Sequence, residues 1–192
     1  MVQVYSQRLF DVPTFAPILE DAIVSFGDFV TAQRRGTISK AFQERLMLAV
    51  THVNGCRYCS YFHTKVSLRE GMSGEEIAEL LRGEFGSVPP EEAVAVLFAE
   101  HYAESAGQYD TSAYQRVLSA YGEEKTAGIV AAIRMIMIGN IVGLMFDVLL
   151  SRLNGRPVPG STLAQEIGVA FGGVVLVPAI LLRRAWMTRG HG

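Results

Sequence analysis

An all-α fold is predicted for this chain by two features. Apolar residues recur at helical spacing through most of its 192 residues, and strand-like alternation is scarce. The Asn54-Gly55 pair sits between two helix-patterned runs, so it reads as a helix-to-helix break, not a hairpin tip. The length suits one domain of ordinary size, taken here as residues 1–192. No short-period repeat, low-complexity segment or long linker interrupts it.

The elements follow in order. Residues 14–34 carry Phe15, Ile18, Leu19, Ala22, Ile23 and Phe26 at helical spacing. Residues 39–53 form a helix with Ser39 as N-cap. A third helix begins near Gly55 or Cys56 and runs to about Glu70, where Gly71 ends it. Ser73, with Glu76 three residues on, makes a capping box for a short helix over 74–82. Pro89-Pro90, followed by Glu91 and Glu92, opens another helix whose apolar positions include Ala93, Val96, Leu97 and Tyr102. A short amphipathic helix covers 111–121, and a long apolar one covers 123–152, ending at Asn154-Gly155. A Pro157, Pro159 and Gly160 loop leads into a last apolar stretch, 161–185, that contains Pro178.

Composition narrows the function classes. Lys plus Arg is 17 against 19 for Asp plus Glu, a net charge of −2, which leaves no basic footprint for nucleic acid. The apolar fraction is 49%, the charged fraction 19%, and the mean hydropathy +0.24, so much of the surface should be covered by other subunits or by lipid. Residues 167–182 are sixteen uncharged residues, short of the roughly 20 that span a bilayer. Arg134, Asn140 and Asp147 interrupt the longer run with groups that are costly in lipid. Both stretches therefore read as core or subunit-interface helices, with 161–192 as an apolar helix and tail at the interface. The N-terminus lacks the pattern of a signal peptide, which makes a cytoplasmic location the default.

The chemistry concentrates in Glu44-RLMLAVTHVNG-Cys56-RY-Cys59-SYF-His63. These are the only two cysteines, too close in sequence to staple a secreted fold. A thiolate is the reactive form, and a free cysteine with a pKa of about 8.5 needs help to ionise. Cys56 falls in the first turn after the break, where unpaired N–H groups and the helix dipole favour a negative sulfur. His63 lies four residues beyond Cys59 on the same face and can take a thiol proton. Glu44, on the preceding helix, can orient His63 if the two helices pack antiparallel. The second cysteine makes the chemistry reversible, because a sulfenic acid on one sulfur condenses with the other to a disulfide. An alternative is a zinc site, with His52 joining Cys56, Cys59 and His63, or two structural cysteines. Glu100 and His101 read as a solvated helix face, Arg134 and Asp147 as partners of each other or across an interface, and His191 as an ordinary tail. Gly172-Gly173 lacks the context of a phosphate loop.

The segment resembles the alkylhydroperoxidase D-like, carboxymuconolactone decarboxylase superfamily through Glu44, the Asn54-Gly55 turn, Cys56, Arg57, Tyr58, Cys59 and His63. Asn140, Asp147 and Arg152 also look like the C-terminal helix of peroxidase-related members. The resemblance implies an all-α, helical-bundle fold assembled as homotrimers or homohexamers. It implies a thiol-dependent peroxidase that reduces a small-molecule hydroperoxide, is recycled by a thiol or dihydrolipoyl-type reductant, and needs no cofactor or metal. It further implies Cys59 as the attacking sulfur, Cys56 as the resolving one, and Glu44 with His63 as a proton relay. Helix-dipole reasoning, by contrast, gives Cys56 the lower pKa. Tyr58 stands where the well-studied members have a histidine that assists the relay, which implies a low peroxidase rate. A lyase or isomerase using Glu44 and His63 as acid and base, and a zinc-binding or redox-sensing module, remain open on the same fold.

Overall fold

The computed structural model describes residues 8–189, and these form eight α-helices with no strand among them. They are α1 (Val12–Arg35), α2 (Lys40–Asn54), α3 (Arg57–Arg69), α4 (Gly74–Leu80), α5 (Ala93–Glu104), α6 (Thr111–Leu153), α7 (Leu163–Ala170) and α8 (Gly173–Arg189). The N-terminal pattern at residues 1–7 and His191 lie outside the described residues.

Side-chain caps set the helix starts. Asp11 accepts from Thr14 N–H, Ser39 from Phe42 N–H and Ser73 from Glu76 N–H. The reciprocal half of the anticipated capping box does not form at Ser73. The Glu76 carboxylate instead turns to Arg45 Nε at 2.6 Å, where a partly buried cation outcompetes a neutral N–H. Pro89-Pro90 does not begin a helix either. Their carbonyls accept the N–H groups of Glu92 and Ala93 in a turn, and α5 starts at Ala93.

The long helix α6 is two segments joined at Gly122, whose φ of 72° and ψ of 172° are non-helical. Glycine adopts that conformation without the penalty a Cβ would incur. Helix α6 is the axis of the fold and packs against α1, α2, α3, α5 and α7. Its inner face buries Ile129, Ile133, Met137, Ile141, Met145 and Val148. By length and composition α6 could cross a membrane, but most of its apolar stretch is buried in the fold, as in a core helix.

The C-terminal stretch is broken where a single element was anticipated. Thr162 and Gln165 form a capping box that starts α7, and a 58° bend at Phe171-Gly172 separates it from α8. Pro178 lies inside α8 without ending it. Arg152 and Ser161 hold the buried Glu166, so α7 is latched to the end of α6. Helix α8 packs on α1, and Val174, Leu182 and Trp186 stay more than 70% exposed.

Arg45 anchors α2 by bridging Glu76 of α4 and Glu92, just ahead of α5. All three side chains are largely buried, and desolvation outweighs Arg45 in raising the Glu92 pKa. An Arg45→Ala variant strands two neighbouring carboxylates, and denaturant titration should show a loss of about 3 kcal/mol at neutral pH. Part of that loss should be regained on mild acidification, as the stranded carboxylates become protonated.

Candidate active site: a dithiol at a helix N-terminus

The site is built on a helical hairpin. Helix α2 ends at Asn54, and Gly55 takes the left-handed conformation with φ 73°, donating its N–H to Thr51 O. The chain then reverses, and Cys56 becomes the N-cap of α3. Glu44 lies some 16 Å down α2 from the turn and His63 some 12 Å up α3, by the helical rise per residue. Antiparallel packing brings the two side chains together, with His63 Nδ1 2.7 Å from Glu44 Oε2. Both are buried, at 3% and 9% exposure for Glu44 and His63. The carboxylate acceptor fixes the proton on Nδ1, which leaves Nε2 as the basic nitrogen.

The sulfurs occupy the first turn of α3. Cys56 is 1% exposed, and its Sγ stands in for the usual oxygen of an N-cap, accepting the Cys59 N–H at 3.4 Å. Cys59 is half-buried, and the two Sγ atoms are 2.7 Å apart as free cysteines. A hydrogen bond from the Cys59 thiol, aided by backbone N–H groups of the turn, lowers the Cys56 pKa to about 7 against the pull of burial. The Cys59 thiol is pushed up, first by donating that bond and then by burial. The more acidic sulfur is therefore Cys56, and the more accessible one is Cys59.

A third wall comes from α6. Gly143 lies so close to the sulfurs that a Cβ there would sit 2.9 Å from Cys56 Sγ and 3.7 Å from Cys59 Sγ. Asn140, on the same face, donates from Nδ2 to Thr51 Oγ1 on α2. Asn54 Nδ2 meets Met137 Sδ at 3.2 Å behind the hairpin turn. Asp147, one turn beyond Gly143, takes the Tyr58 hydroxyl at 3.2 Å and the Arg57 guanidinium.

Glu44 and His63 are thus paired, and Cys56 and Cys59 are paired beside them on α3. His52 is directed elsewhere. Its Nδ1 lies 3.0 Å from Leu81 O, so it does not join the cysteines. No group of three or more His, Cys, Asp and Glu side chains converges as a metal site among the described residues. The anticipated pairing of Arg134 with Asp147 is wrong within the chain. Both sit on α6, thirteen residues or about 20 Å apart along its axis. Arg134 pairs with Asp21 and Ser25 on α1, while Asp147 belongs to the dithiol site. His101 is partly exposed, with Asp110 3.8 Å away. Gly143 and the Asp147 contacts were missed from the sequence, although Asn140, Gly143 and Asp147 form a stripe of polar and small residues at i, i+3 and i+7 in an otherwise apolar helix.

Fold and site together define a class: an all-helical protein with a cysteine pair at a helix N-terminus and a carboxylate–imidazole pair behind it. Residues 17–100, which hold Glu44, Cys56, Cys59 and His63, match the model of the Carboxymuconolactone decarboxylase family. No curated protein and no solved structure matches the chain.

With its pKa near 7, Cys56 should be about half ionised at neutral pH, and ultraviolet titration of the reduced protein should show thiolate absorbance rising through that point. In a Cys59→Ala variant the lost donor should move the midpoint upward, to about 8.5 or beyond. An unchanged midpoint would show that Cys59 does not support the thiolate.

Proposed function

We propose that the protein is a thiol-dependent peroxidase that reduces a small hydroperoxide with the Cys56–Cys59 pair. The observation that carries this reading is the 2.7 Å approach of the two free sulfurs beside the Glu44–His63 pair. Cys59, the sulfur a substrate can reach, gives its proton to the Cys56 thiolate across that contact or to His63 Nε2. The resulting Cys59 thiolate attacks the terminal peroxide oxygen. The O–O bond breaks, Cys59 becomes a sulfenic acid, and the alkoxide takes the proton that Cys59 gave up, from Cys56 or His63, and leaves as the alcohol. Cys56, deprotonated again with the help of His63, attacks the sulfenic sulfur and expels water. Overall two thiols and one hydroperoxide give one disulfide, one alcohol and one water. A thiol or dihydrolipoyl-type reductant then reopens the disulfide by exchange.

The apolar residues left exposed on α8 support assembly as a trimer or hexamer through residues 161–192. A reducing, cytoplasmic setting suits a dithiol that must be returned to its thiol form.

Turnover of an alkyl hydroperoxide with a dithiol reductant is the test. Cys59→Ser and Cys56→Ser should each lose nearly all turnover, and Glu44→Gln should lower it by about 10²-fold, the range for a positioned proton-transfer group. Full turnover in Cys59→Ser would overturn the assignment. An activity that survives replacement of both cysteines but not of Glu44 or His63 would place the chemistry with a lyase or isomerase using that pair as acid and base.

A further inference from the structure

The first turn of α3 is held from a side that neither Glu44 nor His63 touches. Arg57 and Tyr58, its first two residues, both reach Asp147 on α6. Arg57 also donates from Nη2 to the Tyr58 hydroxyl at 3.0 Å, and its guanidinium lies 4.9 Å from the centre of the Tyr58 ring. The three groups thus close a ring of contacts between the two cysteines and α6. The Asp147 side chain is only 15% exposed, and a Cβ at Gly143, one turn back, would sit 2.9 Å from Cys56 Sγ and 3.7 Å from Cys59 Sγ.

We infer that Asp147 is a positioning residue of the dithiol, and that with Arg57 and Tyr58 it forms a charge clamp that fixes the first turn of α3 and sets how readily Cys56 ionises. Two charges of opposite sign act on the same sulfur. The Asp147 carboxylate opposes a thiolate at Cys56, and the Arg57 guanidinium bound to that carboxylate supplies a charge of opposite sign beside it. The other ionisable groups around Cys56 are Cys59, Tyr58 and His63 on α3 and Glu44 on α2. Glu44 and His63 are engaged with each other, and the Tyr58 hydroxyl donates to Asp147. The balance between Asp147 and Arg57 is therefore the adjustable charge at the Cys56 end of the site.

This arrangement rests on reading the pair as a working dithiol only for its effect on rate, because ionisation is measurable without turnover. The test is ultraviolet titration of the thiolate in the fully reduced full-length protein, using the wild type, Asp147→Asn, Arg57→Gln and the double variant. Helical circular dichroism serves as the folding control. Asp147→Asn removes the opposing charge and leaves Arg57 uncancelled, so the Cys56 midpoint should move to lower pH. Arg57→Gln leaves Asp147 uncancelled, so the midpoint should move to higher pH. Each shift should be about half a pH unit, roughly threefold in the thiolate-to-thiol ratio, as expected for a charge near a water-exposed surface. The double variant should return close to the wild type. Shifts of the same sign in both single variants would mark mere loosening of the turn and overturn the inference, as would no shift in either. Opposite shifts in a protein that consumes no peroxide would sink the peroxidase reading and leave the clamp standing.

Discussion

The helix break at Gly55 is the constraint on which the site depends. One residue in the left-handed conformation ends α2, reverses the chain and leaves Cys56 as the N-cap of α3. The Cys56 sulfur accepts a backbone N–H as N-cap, and a sulfur does this best as a thiolate, so the turn that shapes the hairpin also favours ionisation of Cys56. The same reversal folds α3 back along α2 and brings His63 onto Glu44. Spacing in the sequence thus becomes geometry through a single backbone conformation that glycine adopts at little cost.

The second requirement is a wall. A hairpin of two helices leaves the sulfurs open on one side, and α6 closes it. Gly143 is small enough to let the backbone of α6 lie directly against Cys56 and Cys59. Its neighbours on that face tie the wall to both arms of the hairpin, Asn140 to Thr51 on α2 and Asp147 to the start of α3. The family match covers residues 17–100 and includes the hairpin but not the wall. Part of the candidate site therefore lies outside the matched segment.

Much of this was legible in the sequence because it is local. Helix periods, the Ser39 and Ser73 caps and the break at Asn54-Gly55 are written within a few residues, and the Glu44, Cys56, Cys59 and His63 spacing needs only two helices folded on a glycine turn. The parts that were not legible depend on long-range partners. Glu76 was read as a cap residue because Arg45, 31 residues earlier, is not a local neighbour. As charges in apolar surroundings, Arg134 and Asp147 read as partners of each other or of groups across a subunit interface, yet the helix holds them apart and each finds its partner on another element of the chain. The bend at Phe171-Gly172 has the weakest local signal, since Pro178, the more obvious breaker, sits within α8 undisturbed.

The central claim is that Cys56 and Cys59 work as one reversible two-electron unit. It is tested most directly by mass spectrometry of the reduced full-length protein before and after one equivalent of an alkyl hydroperoxide. The expected result is the loss of two hydrogens per chain, with both thiols gone and a single disulfide-linked peptide joining Cys56 to Cys59, restored by a dithiol reductant. Retention of both thiols under those conditions, or addition of oxygen at one cysteine with the other left free, would contradict it.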